Sequence, residues 1–374
     1  MTKHNPDNER IKRRYLDYLH QARGLSDASL DGVAKALDRF EAYTNRRDFR
    51  SFRPEQAKGF KAKLALQCNA RTGERLGKST LLSNASALRA FFGWLAGQPG
   101  YRSRLRYSDA DYFNLSDKDV RTAKARRERP CPTVDQISHV LAHMPASTDV
   151  ERRNRALLAF VILTGARDGA VASLKLKHVN LEQRRVDQDP REVRTKGSKS
   201  ITSWFFPGVG HDPEQFVREW VAHLRQTLLF GDDDPLFPAT EVGVGPRGGF
   251  QALGLSRKQW ASAEPIRRIF REAFTASGLP YFNPHSFRTT LGQLGERLCA
   301  SPEAFKAWSQ NLGHEQVLTT LTSYGQVAPR RQAELLTQLG RGSEPAPEVE
   351  RLLRALLSAD PELLRNAVAP QGGA

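Results

Sequence analysis

Cysteine is scarce in this chain: Cys68, Cys131 and Cys299 are the only three among 374 residues. No pair has zinc-ligand spacing, and an odd, scattered set makes no disulfide framework, so a reducing compartment is expected. Long apolar runs are missing as well. The longest, Ala156 to Leu163, falls far short of the roughly 20 residues that span a bilayer, and it reads as a buried core helix. Met1 to Pro6 hold no apolar stretch of the signal-peptide kind, which points to the cytoplasm. Acidic residues are in deficit: 41 Asp and Glu face 57 Lys and Arg, a net charge of +16. Such an excess favours a polyanionic partner, nucleic acid ahead of membrane. Internal repeats and a nucleotide-binding P-loop are also lacking. Asp232-Asp233-Asp234 has no matching carboxylate or histidine cluster, so it reads as a solvated turn and no metal or other cofactor is expected.

The length suggests two domains, and 39% hydrophobic residues suffice for real cores. Residues 1–100 read as a small all-α unit. Ile11, Tyr15 and Leu19 mark its first helix, and Leu30, Val33, Leu37 and Phe40 its second. Pro54, at a first helical turn, opens the third, which carries Phe60 and Leu64. Leu81, Ala85, Leu88, Phe92 and Leu95 mark a fourth, closed by Gln98-Pro99-Gly100. Residues 101–130 read as a polar linker. In it Arg121, Lys124, Arg126, Arg127 and Arg129 place five positive charges in nine residues, either solvated or lying along phosphates.

A second domain, residues 131–341, starts with a Thr133/Gln136 capping box before Ile137, Val140 and Leu141. Its helices include Ala156–Leu163, Phe216–Phe230, Pro265–Ser277, Ser286–Leu298 and Pro302–Asn311. A β region follows Leu174 to Asn180, with Glu192–Thr195 and Ile201–Phe206 flanking Lys196-Gly197-Ser198-Lys199 as a hairpin. Asp232 to Ser256 reads as loop. Its glycines, Gly243, Gly245 and Gly248, match a dinucleotide-binding pattern literally, but Pro246 and the missing strand and helix argue against that use. Residues 342–374 form a tail in which Val349, Leu352, Leu353, Leu356 and Leu357 make one apolar helix face.

Four segments of the second domain suit phosphate chemistry. Thr164-Gly165-Ala166-Arg167 sets an arginine just past a buried helix. Arg194-Thr195-Lys196-Gly197-Ser198-Lys199 sets lysines on the hairpin. Asn283-Pro284-His285-Ser286-Phe287-Arg288 puts His285 and Arg288 on one helical face. Leu312-Gly313-His314 precedes Ser323-Tyr324-Gly325. Each residue alone has an ordinary reading as a cap, a solvated lysine or a half-buried tyrosine, but their joint order is unlike chance. Two guanidiniums can clamp the nonbridging oxygens of a phosphodiester bidentately, which lysine does less well. A tyrosine phenol can attack the phosphorus and conserve the bond energy as a phosphotyrosine.

In this order and spacing the segments resemble the tyrosine recombinase (phage integrase) family. The resemblance implies a mainly α fold with a small β-sheet in the catalytic domain, and two domains: a helical core-binding domain over 1–100 and a catalytic domain over 131–341. It implies a site of Arg167, Lys196, His285, Arg288, His314 and Tyr324. There Lys196, or failing it Lys199, protonates the leaving 5′ oxygen; His285 exchanges a proton with the tyrosine; and His314 donates to the scissile phosphate. It also implies a 3′-phosphotyrosine, a Holliday junction, and a homo-tetramer on two DNA sites, nucleoid-associated when on DNA, without metal or ATP. The acidic residue common three places after the first arginine is Ala170 here, with Asp168 the nearest substitute, and Thr289 stands where a histidine is frequent. The His314–Tyr324 gap is one residue longer than usual. A tyrosine transposase or dimer resolvase would share this chemistry. A non-catalytic DNA-binding protein would not need the complete set of groups.

Overall fold

The computed structural model describes residues 4–69, 73–125, 130–244 and 248–314. The chain forms two compact units that divide between Arg126 and Arg127. Among the described residues no helix is long and apolar enough to cross a membrane.

The first unit is helical: α1 (Pro6–Asp17), α2 (Asp27–Tyr43), α3 (Pro54–Leu66), α4 (Lys78–Ala96) and α5 (Asp117–Lys124). Asn5 starts α1 by accepting the backbone N–H groups of Asp7 and Asn8, with Pro6 at the first helical position. The expected apolar faces supply the core. Leu37, Phe40, Leu88, Phe92 and Leu95 are buried, and Leu30 and Val33 pack partly buried at its margin. Phe40 sits at its centre, edge-on to Phe60, Phe92 and Phe113 at 5.3–5.4 Å between ring centroids. One polar network crosses this core. Buried Glu41 accepts from Asn8 and Lys12, and Asn8 bonds the backbone at Arg47 and Phe49, tying α1 to the end of α2.

The linker reading of 101–130 differs from what is observed over most of its length. Tyr101, Leu105, Ala110 and Phe113 are buried in the first unit's core, and α5 follows them. Arg126, Arg127 and Arg129 lie outside the described residues.

The second unit contains α6 (Val134–His143), α7 (Asp149–Thr164), α8 (Asp168–Val171), α9 (Asp212–Gln226), α10 (Glu264–Ala276), α11 (Pro284–Leu298) and α12 (Pro302–Asn311). The Thr133/Gln136 capping box opens α6 as expected. Helix α7 is buried on every side from Ala156 to Thr164, as a helix apolar all round must be. An antiparallel sheet runs in the order β1 (Val179–Asn180), β2 (Arg185–Gln188), β3 (Ile201–Trp204), and just past β3 the Phe206 N–H bonds the Leu163 carbonyl of α7.

Two expectations need correction. The partner of β3 is β2, with Gln188 opposite Ile201, and not Glu192–Thr195. Asp189-Pro190 ends β2, because the Asp189 backbone and side chain together accept from residues 191–193 and turn the chain. The segment 232–256, read as loop, contains an antiparallel pair, β4 (Thr240–Val244) and β5 (Phe250–Leu255), with a bulge at Glu241/Val242. Asp232, Asp233 and Asp234 pair with Arg225, with Lys175 and Lys177, and with Arg257 respectively.

Candidate active site

Helix α7 ends at Gly165, which adopts the left-handed conformation (φ 62°) and returns its N–H to Val161. A Cβ there would lie 2.9 Å from Leu312 and 3.1 Å from Leu291, so the turn needs glycine both for its backbone and for its space. Arg167 follows, half-buried at the start of α8. Ala170, where an acid was expected, is buried. The Asp168 carboxylate is directed to Arg267 on α10 at 2.9 Å and to its neighbour's backbone.

Helix α11 is capped by Asn283, whose side chain accepts from Ser286 N–H, with Pro284 next. His285 is therefore in the first turn and exposed, while Arg288, one turn on, is buried. The Arg288 guanidinium bonds the carbonyl of Gly165, the carbonyl of Leu312 at 2.5 Å and Nε2 of His314 at 3.1 Å. One side chain thus fixes the turn that leads to Arg167 and the turn that carries His314.

The Leu312-Gly313-His314 turn has its own local cause. Helix α12 ends with Gly313 at φ 69°, its N–H bonded to the Gln310 carbonyl and the His314 N–H to the Ser309 carbonyl. These paired bonds form a Schellman motif, which favours glycine at the left-handed position. Leu312 is buried beneath the turn, and His314 is the first residue to leave it.

Arginine can only donate, so Nε2 of His314 accepts and its proton resides on Nδ1. Its pKa is lowered to about 4, by burial first and then by the positive charges of Arg288, Arg167 and His285. The imidazole is accordingly neutral at neutral pH. The same influences show that Arg167, His285, Arg288 and His314 share one neighbourhood.

Lys196 is exposed, on the loop joining β2 to β3, just before Gly197 and Ser198, both at positive φ. Lys199 is exposed on the same loop. Tyr324 and the leucine-bearing tail lie outside the described residues. Two supports of the lysine loop were not singled out in the sequence. Glu192 accepts from Nε2 of His178, 2.8 Å away, whose Nδ1 accepts from the Lys175 N–H. Arg194 bonds three carbonyls. Both lie in segments that the sequence marked only as the approach to the β region, Leu174 to Asn180, and as the hairpin.

Residues 131–331 match the phage integrase family. The chain belongs to this family. It is 26% identical over 309 residues to the tyrosine recombinase XerC of Shigella dysenteriae serotype 1 (strain Sd197), covering 82% of this chain and 88% of that protein. It is 25% identical over 253 residues to the tyrosine recombinase XerC of Lactobacillus leichmannii, covering 67% and 72%. Its fold resembles that of a lambda integrase dimer bound to a COC′ core site, with a TM-score of 0.57, 13% identity, and coverage of 85% of this chain and 95% of that one. The mainly helical, two-unit architecture is that of the tyrosine recombinases.

Proposed function

We propose that this integrase-family chain is a site-specific DNA recombinase that cleaves and rejoins strands through a 3′-phosphotyrosine. The observation that carries the reading is the bonding of Arg288 to Gly165, Leu312 and His314, which gathers the motif residues of three separate segments around one point. A phosphodiester entering there meets two guanidiniums, Arg167 and Arg288, suited to the negative charge of its nonbridging oxygens. His314, neutral and carrying its proton on Nδ1, is the neutral donor to that phosphate.

The phenol oxygen of Tyr324 attacks phosphorus and the bond to the 5′ oxygen breaks. The phenol proton passes to His285, and Lys196 gives a proton to the departing 5′ oxygen, leaving a 5′-hydroxyl. Attack by a partner strand's 5′-hydroxyl reverses the steps and restores the diester without ATP or metal. Such an exchange needs two DNA sites held together, for which a homo-tetramer acting in the cytoplasm is the natural assembly. The two XerC relatives are tyrosine recombinases by name, and they favour recombination over mere DNA binding. An integrase, a transposase and a dimer resolvase would all use these steps.

The test is covalent capture on a nicked suicide duplex. The wild-type chain should become covalently attached to DNA, and Tyr324→Phe should bind the same duplex but form no adduct. An adduct on another tyrosine would overturn the assignment.

A further inference from the structure

The loop that bears Lys196 has no regular hydrogen-bond ladder of its own beyond the end of β2, yet a leaving-group acid must be held in place. Two residues before Lys196, Arg194 fastens the loop through both its backbone and its side chain. Arg194 donates its backbone N–H to Ser173 Oγ at 2.9 Å. Its Nη2 donates to the carbonyls of Ala172 and Trp260 at 3.1 and 2.5 Å, and its Nη1 to the carbonyl of Ala261 at 2.6 Å.

The points of attachment are themselves fixed. Ala172 and Ser173 directly follow α8, the helix that Arg167 starts, and Ser173 Oγ donates back to Ala170. Gly169 of α8 lies against the Arg194 carbonyl, which a Cβ there would approach to 3.8 Å. Trp260 is buried beneath the Arg153 guanidinium, 4.9 Å from its ring centroid. Arg194 therefore ties the root of the lysine loop both to the arginine-bearing helix and to the core.

We infer that Arg194 is the positioning residue for Lys196: its guanidinium spans three backbone carbonyls and sets the Lys196 ammonium relative to the phosphate held at Arg167. The inference rests on Lys196 being the leaving-group acid. A planar, forked cation reaches the three acceptors together, and a lysine at this position could satisfy only some of them.

The experiment measures adduct formation by the full-length chain on two DNAs, one with the ordinary scissile diester and one with a 5′-bridging phosphorothiolate, whose thiolate leaves without an acid. Misplacing a catalytic group by about 1 Å can cost on the order of a hundredfold. Arg194→Ala should accordingly slow cleavage of the ordinary DNA by about ten- to a hundredfold and cleave the phosphorothiolate near the wild-type rate, with DNA binding unchanged. Arg194→Lys, the milder change, should fall between Arg194→Ala and wild type on the ordinary DNA and keeps the comparison open if the alanine variant folds poorly. The double variant Arg194→Ala/Lys196→Ala should be no slower than Lys196→Ala alone, because the first residue acts only through the second. If Lys196→Ala is rescued by the phosphorothiolate and both Arg194 variants are not, the positioning role is overturned while the acid stands. If Lys196→Ala is not rescued either, the acid assignment falls and the inference with it. Multiplying defects in the double variant would also overturn it.

Discussion

Arg288 donates to Nε2 of His314 across 3.1 Å, and by doing so it determines where the histidine keeps its proton. The arginine is buried and its other bonds run to the Gly165 and Leu312 carbonyls, so it is a structural strut as well as the proposed phosphate ligand. Replacing it tests both roles. Arg288→Lys keeps the charge but cannot reach two carbonyls and an imidazole at once. Each buried acceptor left unsatisfied costs about 1–3 kcal/mol, so the melting temperature should drop measurably. Adduct formation should fall by roughly a hundred- to a thousandfold, the scale of losing one preorganised donor. Full activity in Arg288→Lys would mean that charge alone suffices.

The histidine's state can be read by titration. Burial and the neighbouring cations hold the His314 pKa near 4, below the ordinary 6.5. A group whose charged form is disfavoured on folding contributes stability that is present above its unfolded pKa. That contribution is lost as pH falls from about 6.5 toward 4, where the unfolded chain binds the proton first. His314→Gln should therefore flatten the acid limb of the stability curve in that window. An NMR titration should show the His314 imidazole neutral at pH 6, and Arg288→Ala should move its midpoint upward by removing one cation. A midpoint near 6.5 in the intact chain would contradict the arrangement.

Much of this site was legible because its motifs have local causes. Leu312-Gly313-His314 is a helix end, with a buried leucine and a left-handed glycine, and Asn283-Pro284 is a helix start; both are recognisable from residue type alone. The acceptors of Arg288 and Arg194 are backbone carbonyls, which carry no residue identity, so their pairing could not be read in advance. Strand β2 was missed because Arg185–Gln188 shows only one apolar residue, Val186, and buries Gln188 as well. The pair β4 and β5 was hidden by the glycines around its connection, and its apolar residues Val242, Val244 and Phe250 are exposed, so no burial pattern marked it. The stretch after Gly100 read as linker because polar and charged residues dominate it, although Tyr101, Leu105 and Phe113 are each buried.

Gly165 offers a test of the turn that precedes Arg167 and whose carbonyl Arg288 holds. Alanine there must hold φ near 62° and place its Cβ 2.9 Å from Leu312. Left-handed strain alone is worth about 1–3 kcal/mol, and Leu312 or the turn must also move. Gly165→Ala should lower thermal stability and slow adduct formation, because the displaced carbonyl is the one Arg288 holds. An unaltered cleavage rate despite lost stability would show that the turn's position does not govern the arginines.

The chain carries 57 basic residues against 41 acidic ones, but many of the basic side chains are already paired. Arg89 faces Asp111, and Lys78 faces Asp119, both on the first unit. Arg126, Arg127 and Arg129 stand close together in the sequence where the two units divide. If they lie along phosphates, each contact releases counterions and adds about 0.9 to the slope of log affinity against log salt. Arg126→Ala/Arg127→Ala/Arg129→Ala should therefore bind DNA more weakly at low salt and show a slope shallower by roughly two to three. Because contacts to phosphate carry no sequence information, the weakening should be similar on specific and nonspecific duplexes. Arg89→Ala, which removes an arginine already facing a carboxylate on the first unit, serves as the control and should leave the slope unchanged. Fluorescence anisotropy across a salt series measures both. A triple variant with the wild-type slope would mean that these arginines are solvated and that the DNA is gripped elsewhere.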